Sequence, residues 1–357
     1  MDLYSNELYM EDVRRICKKD LPWISLKDKT IMLSGATGLI GSFLVDVICE
    51  KNITDNLNCR VLALGRDKQK ARNRFSKYFE SSFFSFIRYD VNDNNVLCDV
   101  ASIDYVLHLA SNTHPIQYST DPIGTITTNI LGLQNMLDFA ERSHVARVVF
   151  ASSNEIYGEN RGDVELFDET YCGYIDSNTM RAGYPESKRC GEALCQAYIS
   201  QKGMDIVIPR FTRSYGPTMQ MSDTKAISQF IKKGIAAENI VLKSQGMQYY
   251  SYTYVADAVY GLLTVLLMGH CGEAYNISDT SSDIMLKDLA SIIAEICGSK
   301  VEYDIPDAIE SAGYSRATKA RLDGSKLKAL GWSPMYDIRS GLTRTIEILK
   351  ENTNSSL

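Results

Sequence analysis

Two side chains in YPESK (184–188) have the types and spacing of an acid–base pair. Tyr184 and Lys188 stand four positions apart, about one helical turn, so on a helix the phenol and the ammonium share a face. A free phenol titrates near 10, and a base working near neutrality needs about three units less, roughly 4 kcal/mol. A lysine ammonium at about 4 Å supplies on the order of that much at an effective dielectric of about 20. YISQK (198–202) repeats the spacing with Tyr198 and Lys202. That second pair lies about 21 Å further along the same predicted helix, far from its start, and reads as a packing or surface pair. ASSNEIYG (151–158) adds Ser153, a hydroxyl placed just past the apolar run RVVF (147–150) and suited to hydrogen-bond a substrate hydroxyl.

Positioning these groups requires elements that meet at one edge. KTIMLSGATGLIGSFLVDVICEKN (29–52) reads as strand, glycine-rich turn and helix, with Gly35, Gly38 and Gly41 in a G-x-x-G-x-x-G array. Such a turn lets backbone approach a pyrophosphate, and the helix start supplies N–H donors, so Thr37, Leu39 and Ile40 between the glycines are also cofactor-binding candidates. Strand-like runs recur at RVLALG, SFIRYDV, DYVLHLA, RVVFASS and DIVIPRF, with helical patterns between most of them. This alternation predicts an α/β fold: a Rossmann-type doubly wound parallel sheet whose helices begin at the binding edge. Tyr184 opens its predicted helix and so arrives at that edge. Beyond about residue 215 the rhythm breaks into helices and short strands, which predicts a smaller C-terminal α/β substrate lobe. The expected division is a helical extension over 1–27 and a dinucleotide-binding domain over 28–209 with returning segments at about 249–278. The substrate lobe takes 210–248 and 279–350, and a frayed tail 351–357.

The second strand ends in Gly65 and Arg66, where an acid would hydrogen-bond the adenosine ribose. Arg66 faces either solvent or a 2′-phosphate, and Asp67 is the next acid if the turn shifts, so NAD and NADP both stay open. Composition narrows the partners. Charged residues make up 23% of 357 and the net charge is −6, which gives no reason to expect nucleic acid or an anionic membrane. No apolar run approaches the length of a membrane helix, and the charged N-terminus is unlike a signal peptide. Nine cysteines without a CxxC and four histidines without ligand spacing predict free thiols, no metal site and a cytoplasmic setting.

GATGLIG, HLAS, ASSNEIYG, YPESK and YGPTM occur in the order and spacing of the extended short-chain dehydrogenase/reductase family, the NAD-dependent epimerase/dehydratases that act on nucleotide sugars. The resemblance covers about residues 28 to 350 and, within the family, is nearest to UDP-glucuronate decarboxylases, through YPESKRCGEALCQAY, TDPIGTITTNILGLQNML and GPTMQMSDTKAISQFI. It implies that Asp90 and Val91 lie against the adenine, that Leu109, Ala110 and Ser111 line the cofactor cleft, and that Ser153, Tyr184 and Lys188 handle proton and hydride. It also implies a nucleotide-sugar substrate, a homodimer paired through helices at about 123–142 and 184–202, and a place in polysaccharide biosynthesis.

Glu155 bears on reaction type. Simple 4-epimerases of the family usually lack an acid there, whereas decarboxylases and 4,6-dehydratases carry one, able to remove a C5 proton next to a 4-ketone. Asn154 stands where one dehydratase branch has an aspartate that protonates departing water. Two substrate-side positions depart from the family pattern: Arg213 replaces an asparagine and Tyr250 an arginine, which weakens the decarboxylase reading. Arg316, Lys319 and Arg321 lie where relatives place a phosphate-contacting arginine, or else form a solvated basic loop. The expected function is an NAD(P)-dependent decarboxylase or 4,6-dehydratase working through a 4-keto intermediate. The alternatives are a 4-epimerase and, in another class, a dinucleotide-binding regulator that has lost catalysis.

Overall fold

The computed structural model describes residues 3–93, 102–113, 115–305 and 318–354. Its core is a sheet in the order β3-β2-β1-β4-β5-β7-β11, every pairing parallel. The strands are β1 (Thr30–Ser34), β2 (Arg60–Gly65), β3 (Phe84–Arg88), β4 (Tyr105–His108), β5 (Arg147–Phe150), β7 (Ile206–Phe211) and β11 (Ala274–Ile277). A two-residue β6 (Ser152–Ser153) continues β5 and pairs with β7. The chain order reverses between β1 and β4, and ligands of open parallel sheets settle in the crevice at such a switch point. Both faces of the sheet are covered, so β7 is buried at all six positions, as its apolar run requires.

The helices that reach the site are stopped and started by local chemistry. α2 (Leu39–Asp55) begins at Gly38 and ends where Asn56 takes a left-handed conformation, φ 53°. α3 (Lys68–Arg74) is capped by the Asp67 carboxylate, which accepts from the Lys70 N–H. A one-turn α4 (Pro115–Thr120) precedes α5 (Pro122–Arg142), which is capped by Asp121 and has proline at its first position. α6 (Gly183–Lys202) ends on left-handed Gly203.

The N-terminal segment forms α1 (Glu7–Cys17) and packs on α2 and on α8 (Val255–Met268). This explains why α2 is buried at every position from Gly41 to Asn52: one side meets the sheet and another meets α1. Two carboxylates fasten the junction. Asp46 of α2 pairs with Arg74 and accepts from the Tyr9 hydroxyl. Asp12 of α1 accepts from Tyr254 at 2.6 Å and from Tyr336, and pairs with Arg344 at 2.7 Å.

The smaller lobe is built on β10 (Tyr249–Tyr254). It pairs with β8 (Arg213–Tyr215) and β14 (Lys319–Ala320) in parallel, and with β12 (Asp283–Met285) antiparallel. Beside it, β9 (Ile240–Leu242) and β13 (Val301–Tyr303) pair in parallel, and α7 (Ala226–Ile235) packs against α9 (Leu286–Cys297). α8 packs on β7 and β11 joins the large sheet, while β10 is held in the small sheet by its three partners. The terminal helix spans Ile338–Asn354. Among the described residues no helix is long and apolar enough to cross a membrane, and no cluster of metal-ligating side chains occurs.

Candidate active site

A cleft of about 900 Å³ runs along the carboxyl edge of the large sheet and between the two lobes. The glycine turn forms its floor. Gly35 has φ +72°, and a Cβ there would lie 2.7 Å from the Leu109 carbonyl carbon; one at Gly41 would lie 2.4 Å from the Gly35 oxygen. Only glycine fits this crossing of β1 and β4, and the resulting backbone cradle suits a pyrophosphate. Across the turn, the Ser34 hydroxyl contacts His108 Nδ1 at 2.8 Å and accepts from the Ala110 N–H at 3.3 Å. Burial pushes His108 down to about 3, so this support is neutral.

Tyr184 sits in the first turn of α6, buried, its ring stacked on Tyr118 at 4.9 Å. A chain of hydrogen bonds fixes that turn: Ser111 donates to Asn129 at 2.7 Å, Asn129 to Ser187 at 2.9 Å, and Ser187 to the Tyr184 carbonyl at 2.8 Å. The Ser153 and Ser111 hydroxyls favour the ionised phenol. Lys188 is buried one turn further, donating to the Ala151 carbonyl at 2.8 Å with its ammonium 4.8 Å from the Phe150 ring centre.

Electrostatically the pair differs from the sequence expectation. Burial, and then the Glu155 charge, push the Tyr184 phenol above its ordinary value, while the two serine hydroxyls and Arg181 pull the other way. Burial drives Lys188 down to about 7, opposed by Glu192 one turn along. Desolvation outweighs charge pairing because both groups lie beneath the cleft wall and Lys188 is turned to the Ala151 carbonyl.

Glu155 is held by Arg181 in a two-pronged ion pair, each contact 2.8 Å. The Arg181 guanidinium also lies 5.1 Å from the Tyr118 ring centre. Arg213 and Tyr250, the two departures from the family pattern, touch: the guanidinium carbon is 3.5 Å from the ring centre. With its amide oriented to satisfy both neighbours, Asn154 accepts from Arg213 at 2.9 Å and donates to the Phe211 carbonyl at 3.3 Å.

Of the described residues singled out from sequence as site candidates, all line this cleft except Asp67, Lys319 and Arg321. Arg321 pairs with Asp283 at 2.8 Å and stacks on Tyr249, drawn off by a buried carboxylate that sequence spacing does not reveal. Arg316 lies outside the described residues. The control pair behaves as a packing pair: Tyr198 bonds Asp138, and Lys202 approaches Glu141 at 3.3 Å. Sequence reasoning missed Arg181, Tyr118 and Lys70 as lining residues. The one available signal was Arg181 three positions before Tyr184.

A strand-ordered parallel sheet with a glycine turn at its switch point, and a tyrosine–lysine helix start beside it, defines the class of Rossmann dinucleotide-binding proteins. The profile of the NAD dependent epimerase/dehydratase family matches residues 31–278, and the chain belongs to that family. It is 30% identical over 334 residues to UDP-glucuronic acid decarboxylase 1 of Xenopus tropicalis, covering 92% of this chain and 74% of that one. It is 31% identical to UDP-glucuronic acid decarboxylase 5 of Arabidopsis thaliana, covering 87% and 86%. A dTDP-glucose 4,6-dehydratase from Streptomyces venezuelae, solved with NAD, superposes with TM-score 0.79 at 24% identity over 91% of this chain and 98% of that one. A UDP-glucuronic acid 4-epimerase from Bacillus cereus, in complex with UDP-glucuronic acid and NAD, gives 0.76 at 23% over 90% and 99%. At these identities the superpositions speak for the fold.

Proposed function

We propose that the protein is a nucleotide-sugar enzyme that works through a 4-keto intermediate, and that its reaction is loss of the carboxylate from a UDP-glucuronate-like uronic acid. The observation that carries this is the meeting of Tyr184, Ser153 and Lys188 with the glycine turn in one cleft. The cradle at Gly35 and Gly41, which a Cβ would fill, fits a dinucleotide. Bound there, a nicotinamide dinucleotide supplies a hydride acceptor that can later return the hydride. Ser153 would orient the sugar C4 hydroxyl, and Tyr184, which ionises only when the Lys188 ammonium and a bound nicotinamide's positive charge offset its burial, would take that proton as the C4 hydrogen leaves with its electron pair. Lys188 would hold the nicotinamide ribose and, when charged, would favour the phenolate. The resulting ketone lies β to the C6 carboxylate and accepts the electron pair of the breaking C5–C6 bond as CO₂ departs.

Three features favour decarboxylation over dehydration. Asn154 has no proton to deliver to departing water. Glu155 is neutralised by Arg181 rather than free to act as a base. Arg213, stacked on Tyr250, offers a guanidinium to a carboxylate. The curated relatives quoted above, at 30% and 31% identity, are decarboxylases by name. Exposed Ile123, Ile126 and Leu131 on α5, which packs along α6, support a homodimer formed through these helices, checked by mass in solution.

Supplied with UDP-glucuronate, the enzyme should give a product lighter by CO₂. A product lighter by water, or of unchanged mass, redirects the reading to dehydration or epimerisation. Tyr184→Phe should abolish turnover while keeping dinucleotide binding, and full activity in that variant refutes the assignment. Dinucleotide binding without turnover across a nucleotide-sugar panel would identify a regulator.

A further inference from the structure

The adenosine end of the cleft is shaped by the close of β2 and the start of α3. In a parallel-sheet dinucleotide site a carboxylate at the end of the second strand selects an unmodified ribose by accepting its 2′-hydroxyl, and a cation there selects a 2′-phosphate. Here the strand ends on Gly65, and space explains the missing acid. A Cβ at Gly65 would lie 3.2 and 3.4 Å from two carbons of the Phe86 ring, so an aspartate or glutamate would need that ring to give way.

The next acid, Asp67, is occupied. Its carboxylate accepts from the Lys70 N–H at 2.9 Å as the cap of α3, and it does not line the cleft. Arg66 and Lys70 do line the cleft, and both are solvent-exposed. Burial disfavours protonation of Lys70; the Asp67 charge opposes this, and the Arg66 charge adds a smaller push the same way as burial. Two cationic side chains on one wall of the cleft favour an anion placed beside them. Asp90 is the carboxylate that approaches Arg66, at 4.0 Å, with its other oxygen accepting from the Asn92 N–H at 3.0 Å. That distance is the outer limit of an ion pair, so Arg66 remains able to engage a closer phosphate.

We propose that this end of the cleft is built for an adenosine ribose carrying a 2′-phosphate, so that NADP is the preferred dinucleotide, with Arg66 and Lys70 the residues that select it. The inference rests on the dinucleotide-binding reading of the cleft but not on the reaction assigned to it. A 2′-phosphate carries about two negative charges near neutrality, enough to engage both side chains. NAD lacks that group and offers them no phosphate at this position.

Calorimetric titration of the full chain tests this with NADP⁺ and NAD⁺, and with the fragments 2′,5′-ADP and 5′-AMP. NADP⁺ and 2′,5′-ADP should each bind at least tenfold more tightly than their partners lacking the 2′-phosphate. Because the cations are exposed, that ratio should shrink as salt rises. Arg66→Ala, on an exposed side chain that the fold does not need, should remove most of the ratio and leave NAD⁺ affinity within about twofold. Lys70→Ala should remove a smaller share. NAD⁺ binding as tightly as NADP⁺, or Arg66→Ala weakening both alike, overturns the selection by Arg66 and Lys70 while leaving the reaction intact. Binding of neither dinucleotide would overturn both readings.

Discussion

Replacing Lys188 by methionine should destroy turnover and make the protein more stable at neutral pH. Burial lowers this lysine from an ordinary value of 10.5 to about 7. At about 1.4 kcal/mol per unit, that drop withholds on the order of 5 kcal/mol of folding free energy at neutral pH and below. Methionine fills a similar volume without a charge to desolvate. It leaves the Ala151 carbonyl without the 2.8 Å bond from Lys188, a loss of about 1–3 kcal/mol. The net expectation is a gain of about 2–4 kcal/mol in denaturant unfolding at pH 7. The sign with pH follows from proton binding. Between pH 7 and 10.5 the unfolded chain holds a proton on this lysine that the folded chain has lost, so raising pH through that window stabilises wild type. The methionine variant lacks that contribution, so its advantage should shrink towards pH 10. Parallel stability–pH curves for the two proteins, or a variant less stable at pH 7, would refute the account of Lys188 as a desolvated base partner.

Asp12→Ala should cost about 2–5 kcal/mol in denaturant unfolding, because it leaves two buried tyrosine hydroxyls without their acceptor and Arg344 with Glu11 as its remaining carboxylate. Limited proteolysis should then release α1 before the rest of the chain is cut. Arg213→Ala should raise KM for a uronate substrate about tenfold or more with a smaller effect on kcat. A charge pair made in the ground state and lost as CO₂ departs binds substrate more than transition state. Equal loss in kcat alone would assign Arg213 to the chemical step.

The parts legible in sequence are those whose chemistry is local. The glycine turn is readable because strand, turn and helix adjoin in one stretch, and Gly35 and Gly41 are needed by backbone crossings that any larger residue would block. Tyr184 and Lys188 are readable because helical spacing alone puts them on one face. Residues whose place depends on distant partners were hidden. Arg181 becomes a cleft residue only because α6 starts where it does and Glu155 lies opposite. Arg321 leaves the cleft only because Asp283, on a neighbouring strand, holds it. The purpose of the N-terminal segment was hidden as well, although α2 carried a signal: LIGSFLVDVIC has no polar face, which a helix covered on one side alone would have. Its lone aspartate, Asp46, marks where Tyr9 and Arg74 attach.

The two halves of the cleft are built to different tolerances. On the dinucleotide side, each functional group hangs from the central sheet or from α6, and backbone contacts fix it: Gly35 against Leu109, Ser187 against the Tyr184 carbonyl. A shift of an ångström there would misplace hydride transfer, so the residue types are those sequence alone can recognise. On the substrate side the groups come from short strands, and neighbouring strands can exchange duties. β8 and β10 run in parallel with Arg213 opposite Tyr252, two positions from Tyr250. Where the resemblance expects an arginine at position 250, the Arg213 guanidinium lies over the Tyr250 ring. The pattern of residues along the chain changes while the charge presented to a substrate carboxylate does not. On the proposed reading, Arg213 stands in for the arginine that the resemblance expects at position 250.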